Sequence, residues 1–168
     1  MKRKHLLFAL RVFVLLFLQI VVCNELFLWQ FATPFVYPVL LFFFPLGTKK
    51  YLYTLSGGIV GLIMDAASGA AGLHTAAFTL TAFLFGYMLP YFVVTDAQPG
   101  VNPSIQRDGS KPFVLLLLVL LFHHFVLFFL DAVGAPYTGF LALRMLGSLA
   151  VSYVIAAIIL LVTNRRSE

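Results

Sequence analysis

The sequence predicts an all-α integral membrane protein, a compact bundle of about six transmembrane helices with both termini in the cytoplasm. Its composition, the length of its apolar runs and the placement of its positive charges lead to this prediction. Hydrophobic residues make up 62% of the 168 residues and charged residues 10%, and the mean hydropathy is +1.03, which is far more apolar than a soluble domain. Five or six helices of about 20 residues fill this length. We therefore expect a single transmembrane domain over residues 1–168.

The first apolar run, Leu6 to Cys23, follows the basic start Lys2-Arg3-Lys4 and so resembles a signal peptide. It is longer than the usual apolar core of a signal peptide, and Asn24-Glu25 follows it instead of a small-residue cleavage site. The pattern therefore predicts a retained first transmembrane helix.

The second apolar region, Leu26 to Leu46, is interrupted by Pro34, Pro38 and Pro45. Because proline breaks the helical hydrogen-bond ladder, only Phe35 to Gly47 is available for a helix, and it would span about 20 Å. We expect a helix here that is short, kinked or partly interfacial.

The remaining apolar runs predict four further helices. These are Tyr51 to about Ala67, Leu73 to Val94, Pro112 to about Leu130, and Tyr137 to Thr163. Thr95 to Lys111 is rich in Asp, Gln, Pro, Gly, Asn and Ser, which predicts an exposed loop. It is the one predicted connection long enough to contact soluble partners.

Positive charges test this arrangement independently of hydropathy. The residues that fall on one side of the predicted bundle are Lys2, Arg3, Lys4, Lys49, Lys50, Arg107, Lys111, Arg165 and Arg166. The opposite connections carry no Lys or Arg, so the positive-inside rule places both termini in the cytoplasm. The net charge of +5 then reflects topology and attraction to anionic lipid headgroups, and we infer no nucleic-acid binding from it.

Three glycines and one aspartate recur every four positions along one apolar segment, Tyr51 to Ala71: Gly57, Gly61, Asp65 and Gly69. This spacing keeps the positions near one helix face, and glycines there allow a neighbouring helix to approach closely. Since a carboxylate is costly in hydrocarbon, Asp65 is expected either at the membrane boundary or beside a partner. This pattern therefore predicts a face that is turned toward protein.

Two arginines lie inside predicted helices. Arg11 is close enough to the cytoplasmic end of the first helix for its side chain to extend to the headgroups. Arg144 lies about two turns into the last helix, close in depth to Asp65 and Asp131. We predict an ion pair or polar pocket at this depth, with either aspartate as the partner of Arg144.

The sequence contains no pattern typical of a metal site or of catalysis. Cys23 is the sole cysteine, and His74, His123 and His124 lack the spacings of metal ligands, so we expect no metal or cofactor and favour hydrogen bonds between helices. Ser68 precedes a glycine but lacks the earlier glycine of the rhomboid-type Gly-x-Ser-Gly pattern. We therefore expect no catalytic residue.

One region of the chain resembles the MreD family, a membrane component of the bacterial rod-shape and cell-elongation machinery. The residues that carry the resemblance are Pro38-Val39-Leu40-Leu41, the basic turn Lys49-Lys50, Gly57-Gly58-Ile59-Val60-Gly61-Leu62-Ile63-Met64-Asp65, Ser68-Gly69, and Gly72-Leu73-His74. They cover about a third of the chain, and the rest is similar in size and hydropathy.

The resemblance implies a non-enzymatic scaffold subunit of the bacterial cytoplasmic membrane. It would bind MreC, a single-span protein that helps to control the peptidoglycan synthase complex, with MreB filaments as an indirect partner on the cytoplasmic side. The partner-binding residues that it implies are Gly57, Gly61, Asp65, Gly69, Gly72 and His74.

A second function follows from a further resemblance. MreD-like proteins are similar in fold to the substrate-binding membrane subunits of energy-coupling-factor vitamin transporters. That function implies an outward-facing pocket lined by Asp65, His74, Asp131 and Arg144. Such subunits commonly present small residues on the first helix to dock their transporter module, whereas Leu6 to Leu18 is bulky here. This difference favours the scaffold.

Overall fold

The computed structural model describes residues 2–26, 28, 32–93, 103, 105–133 and 138–164. The α-helices are α1 (Lys2–Phe17), α2 (Lys50–Ser68), α3 (Leu73–Phe92), α4 (Ile105–Asp108), α5 (Lys111–Asp131) and α6 (Thr138–Asn164). A π-helical segment, Leu18–Cys23, continues α1, and a 3₁₀ helix covers Tyr37–Phe43. Within these ranges the β-structure is limited to an isolated bridge between Leu28 and Ala32. The prediction of an all-helical fold is therefore confirmed.

Four helices are long and apolar enough to cross a membrane: His5–Cys23, Leu73–Phe92, Lys111–Asp131 and Phe140–Thr163. This is consistent with a multi-pass membrane protein. Helix α2 has 19 residues, but its polar residues and glycines reduce its hydropathy and it is not among the four. The predicted number of about six spans is thus confirmed only in part.

The predicted second helix is present and short, as expected, but it does not have the length of a membrane span. Only Tyr37–Phe43 is helical in this region, and it is a 3₁₀ helix of 7 residues with Pro38 in its first turn. Such a helix is about 14 Å long, roughly half of the ~30 Å hydrocarbon core. All seven residues are buried, so the segment lies inside the bundle.

The helix α2 runs antiparallel to α3, and the two form a hairpin. At one end of the hairpin the Nζ of Lys50 lies 3.9 Å from the ring centroid of Tyr87. At the other end Asp65 accepts hydrogen bonds from the start of α3, at His74 and Thr75. Lys50 and Asp65 therefore lie at opposite ends of the hairpin.

The helices α5 and α6 continue this alternation. His74 at the start of α3 and Asp131 at the end of α5 line one cavity, so α5 runs antiparallel to α3. Arg144 in the first half of α6 lies beside Asp131, so α6 runs antiparallel to α5. We call the end with Lys50 and Lys111 the lysine end, and the end with Asp65 and Asp131 the aspartate end.

The 3₁₀ helix forms the centre of the hydrophobic core. The ring of Phe42 contacts Phe85 of α3 with centroids 5.2 Å apart, and Tyr37 contacts Phe78 at 5.0 Å. At the lysine end Phe44 contacts Phe8 of α1, with centroids 5.0 Å apart. The start of α1 therefore lies at the lysine end.

Parts of the sequence prediction fall outside the described residues. Of the predicted loop at 95–111, residues 95–102 and 104 lie outside them, and 105–108 form the short helix α4. Arg165 and Arg166 also lie outside.

Cys23 is buried within the core, as expected for a small packing residue.

Candidate functional site

The side chain of Asp65 caps the first turn of α3. Its Oδ1 accepts a hydrogen bond from the backbone N–H of His74 at 2.9 Å, and its Oδ2 accepts from the backbone N–H of Thr75 at 3.0 Å and from the Thr75 hydroxyl. A carboxylate at this position satisfies N–H groups that have no partner within the helix and complements the positive end of the helix dipole. Asp65 thus has a protein partner, as its sequence context predicts, and the partner is the backbone of the next helix.

Gly57 and Gly61 allow this close packing of α2 against α3. A Cβ atom at Gly57 would lie 2.7 Å from the carbonyl oxygen of Phe78, and one at Gly61 would lie 2.5 Å from the Cα of Thr75. Real Cβ atoms do not approach backbone atoms so closely, so side chains at these positions would separate the helices. The face that the sequence predicts to be turned toward protein is therefore covered by α3 of the same chain.

Gly69 and Gly72 form the turn between α2 and α3. Their φ angles are +67° and +86°, a left-handed conformation that favours glycine. A Cβ atom would meet nothing within 4 Å at either position. Of the six predicted partner residues, these two are exposed, whereas Gly57, Gly61, Asp65 and His74 are buried.

A buried hydroxyl joins α3, α5 and the 3₁₀ helix. The hydroxyl of Tyr37 lies 3.0 Å from Nδ1 of His74 and 2.7 Å from Nε2 of His123. Since one hydroxyl has a single proton to donate, at most one ring nitrogen accepts that proton, and at least one donates its own to the hydroxyl oxygen. The predicted hydrogen bonding of His74 and His123 between helices is thus present, with Tyr37 as the link.

The backbone before the 3₁₀ helix is held by Gln19 of the π-helical segment. The Oε1 of Gln19 accepts hydrogen bonds from the N–H of Val36 at 2.7 Å and of Tyr37 at 3.3 Å, and its Nε2 donates to the carbonyl of Pro34 at 3.0 Å. Irregular backbone at membrane depth is tolerated only where protein satisfies its polar groups. One buried amide side chain does this for three of them.

Two serines of α6 also satisfy backbone N–H groups that precede the 3₁₀ helix. Ser148 Oγ accepts from the N–H of Thr33 at 3.0 Å, and Ser152 Oγ accepts from the N–H of Phe35 at 2.7 Å. His124 Nδ1 lies 2.8 Å from the carbonyl of Leu120 and therefore carries a proton, and its Nε2, 3.1 Å from Ser152 Oγ, accepts the serine proton when the ring is neutral.

Sequence reasoning missed the roles of Gln19, Tyr37, Ser148 and Ser152. A signal for three of them was present in Pro34 and Pro38, because prolines that prevent a helix leave backbone groups that need side-chain partners. The polar residues of the flanking helices are the available source of those partners.

A small cavity opens at the aspartate end. Its volume is about 150 Å³, and its lining includes Thr33, Phe35, His74, Phe128, Asp131 and Arg144. Arg144 Nη1 lies 3.8 Å from Asp131 Oδ2. Of the two predicted alternatives, Asp65 and Asp131, the partner of Arg144 is therefore Asp131. Asp65 is not in the lining, because its carboxylate is engaged by α3.

An apolar groove runs along the outer surface of the α2–α3 hairpin, and we call it the hairpin groove. Its volume is about 740 Å³, and its lining includes Lys50, Thr54, Leu55, Gly58, Ile59, Leu62, Thr79, Phe83 and Tyr87. A Cβ atom at Gly58 would meet only the hydroxyl of Thr79, at 3.6 Å. Unlike Gly57 and Gly61, Gly58 therefore has room for a side chain.

The described residues include no group of three or more His, Cys, Asp or Glu side chains that could hold a metal ion. The Ser68 hydroxyl donates to the carbonyl of Met64 at 2.6 Å, within α2, which is typical of serine near a helix end.

Comparison of the chain with models of known families, with curated proteins and with solved structures finds no match to any of them.

Proposed function

We propose that the chain is a non-enzymatic scaffold subunit of the bacterial cell-elongation complex in the cytoplasmic membrane. It would bind the transmembrane helix of an MreC-like single-span protein in the hairpin groove and so support peptidoglycan synthesis and cell-shape control. The peptidoglycan synthase complex and an MreB-like filament would be indirect partners. The observation that carries the proposal is the open hairpin groove on the segment that resembles the MreD family.

The groove has the surface that a transmembrane helix requires. Helices in lipid associate through close packing, since burial in protein gives apolar side chains no hydrophobic gain over lipid. The small residues Thr54, Gly58 and Thr79 lie in the groove and allow a partner backbone to approach. Ile59 and Leu62 are 51% and 60% exposed, so their side chains are available to pack between those of a partner helix.

The charges favour one orientation of the chain. Lys49, Lys50 and Lys111 lie at or beside the lysine end, and all are exposed. Loops rich in Lys and Arg stay in the cytoplasm, so the lysine end, with the start of α1, would be cytoplasmic. The aspartate end and its cavity would then face the outside.

The hydrogen bonds of Asp65, His74 and Ser68 also favour a scaffold. Asp65 and His74 are engaged in the cap of α3 and in the Tyr37 network, and the Ser68 hydroxyl is bonded within its own helix. These groups therefore stabilise the hairpin in which the proposed groove is formed.

The rival function, a substrate-binding subunit of an energy-coupling-factor vitamin transporter, is supported by the cavity at the aspartate end. That cavity brings together three of the four predicted lining residues, His74, Asp131 and Arg144. Its volume of about 150 Å³ is nevertheless below the roughly 300–1,000 Å³ of sites for vitamin-sized ligands. The size of the cavity therefore favours the scaffold.

The test is affinity purification of the full chain from bacterial membranes in mild detergent, with identification of the proteins that co-purify. Gly58→Leu should fill the groove and remove an MreC-like protein and the peptidoglycan synthases from the eluate, while the yield of folded chain stays unchanged. Ala67→Leu is the matched control, because it adds the same side chain to α2 at an exposed residue outside the groove lining.

Gly61→Leu shows what a folding defect looks like in the same experiment. It should reduce both the yield and the co-purification, because its Cβ would overlap the backbone of α3. Recovery of an ATPase transport module with a bound small molecule would contradict the scaffold. Undiminished recovery of the partner with Gly58→Leu would show that the groove is not the interface.

A further inference from the structure

We propose that the cavity at the aspartate end binds a zwitterionic group, an ammonium next to a phosphate or carboxylate. The anion would bind Arg144 and the ammonium would bind Asp131. This inference is independent of the partner helix in the hairpin groove, because the cavity and the groove share no lining residue.

The first observation is the incomplete pairing of Arg144. Its Nε is buried and has no hydrogen-bond partner, and its Nη1 lies 3.8 Å from Asp131, which is longer than a hydrogen bond. A guanidinium has five N–H donors, and two of them can bind one phosphate or carboxylate side by side. The cavity therefore contains an arginine with donors available for an anion.

The second observation is the neighbouring carboxylate. An anion bound to Arg144 alone would lie close to Asp131 and be repelled by it. A ligand with an ammonium beside its anion removes this repulsion, because the ammonium pairs with Asp131 while the anion pairs with Arg144. The two side chains together therefore select a ligand with both charges over a simple anion.

The aromatic walls of the cavity suit the same ligand. Phe35 and Phe128 line it, and the guanidinium of Arg144 already lies 5.6 Å from the ring centroid of Phe128. Aromatic faces attract ammonium groups as they attract guanidinium groups. The hydrogen bonds of Tyr37 with His74 and of Thr33 with Ser148 hold the inner wall in place.

The volume limits the ligand to a small group. About 150 Å³ equals the share of roughly five water molecules in the liquid. A phosphoethanolamine lipid headgroup and a free amino-acid-like compound both carry the required pair of charges at this scale. Arg144 and Asp131 are 34% and 43% exposed at their side chains, so the mouth is open to either source.

The experiment is native mass spectrometry of the full chain, purified in detergent and stripped of lipid. The lipid probes are phosphatidylethanolamine and phosphatidylglycerol, and the soluble probes are O-phosphoethanolamine and inorganic phosphate. We expect each zwitterionic probe that binds to do so more tightly than its purely anionic counterpart. Arg144→Gln should weaken this binding by about ten- to hundredfold, the typical effect of losing a charge-assisted hydrogen bond.

Asp131→Asn gives the sharpest result. It should weaken binding of the zwitterionic probe. A plain anion site would instead bind the anionic probe more tightly once the repelling carboxylate is gone. Arg11→Gln, which removes the same charge from α1, should leave binding unchanged. Both Arg144→Gln and Asp131→Asn should elute as the wild type does, because both side chains are partly exposed.

The sources are distinguished by the two zwitterionic probes. Tight binding of phosphatidylethanolamine alone identifies a lipid headgroup, and equally tight binding of O-phosphoethanolamine identifies a free zwitterion. Equal binding of the zwitterionic and anionic probes, tighter binding by Asp131→Asn, or no binding of any probe would overturn the inference.

Discussion

At the scale of single residues, Asp65 shows how a largely apolar helical bundle retains a buried carboxylate. The side chain is only 6% exposed, yet it accepts hydrogen bonds from two backbone N–H groups and one hydroxyl. The stabilisation comes from the start of α3, where those N–H groups have no helical partner. A cation is therefore not needed to explain the position of Asp65.

We expect Asp65→Asn to lower the free energy of unfolding by about 1–3 kcal/mol, because the amide would set a donor against the N–H groups of α3. Unfolding in mixed detergent micelles, followed by circular dichroism, measures this. Asp131→Asn is the matched control and should change the free energy by less than about 1 kcal/mol, since its pair with Arg144 is long and partly exposed. Equal effects of the two substitutions would contradict the capping role.

The glycines of α2 show how much of the helix packing can be predicted from the sequence. The four-residue spacing of Gly57, Gly61 and Asp65 predicts a face turned toward protein, and the structure places that face against α3. The spacing alone cannot distinguish a neighbouring helix of the same chain from a helix of another protein, because both require the same close approach. Gly58 carries no such signal, although it lies in the open groove.

At the scale of elements, the segment from Thr33 to Phe43 behaves unlike any other part of the described chain. The N–H groups of Thr33, Phe35, Val36 and Tyr37 donate to Gln19, Ser148 and Ser152. The 3₁₀ helix follows directly, at Tyr37–Phe43. The prolines made a broken helix predictable. The burial of the segment among the other helices was not predictable, because the polar partners are distant in sequence.

We expect Gln19→Leu to destabilise the fold more than Ser148→Ala. The first substitution removes the partners of Val36 N–H, Tyr37 N–H and Pro34 C=O, and the second removes the partner of Thr33 N–H alone. With about 1–3 kcal/mol for each buried group left without a partner, Gln19→Leu should cost at least about 3 kcal/mol.

The same detergent unfolding experiment ranks these two variants, and amide hydrogen exchange locates the effect. Exchange at Val36 and Tyr37 should accelerate in Gln19→Leu and remain slow in Ser148→Ala. If the two variants unfold alike, the amide of Gln19 does not hold this segment.

At the scale of the whole molecule, charge and hydrogen bonding divide the bundle into two different ends. The lysine end carries exposed Lys49, Lys50 and Lys111, whereas the aspartate end carries the capped Asp65 and the Asp131–Arg144 pair. The alternation of the long helices was predictable from hydropathy. The number of candidate spans was not, because a short 3₁₀ helix inside the bundle replaces one of them and α2 is not apolar enough to be counted.

The proposed orientation predicts which end a membrane-impermeant maleimide reaches in intact cells. Lys49→Cys should be labelled only after the cells are permeabilised, and Val133→Cys, at a position that is 74% exposed, should be labelled without permeabilisation. The natural Cys23 is 2% exposed and serves as an internal control that stays unlabelled. The reverse pattern would place the lysine end outside.

The attachment of residues 33–36 to the last helix has a consequence for biosynthesis. The ribosome delivers Thr33 and Phe35 to the membrane more than 110 residues before their partners Ser148 and Ser152, which lie 115 and 117 positions further along the chain. Until α6 has been translated and inserted, those N–H groups must be hydrated or held by the insertion machinery, because bare peptide groups are not stable in hydrocarbon. A nascent chain that stalls before α6 would therefore present an unfinished interior to membrane quality control, and the arrival of α6 is the event that closes it.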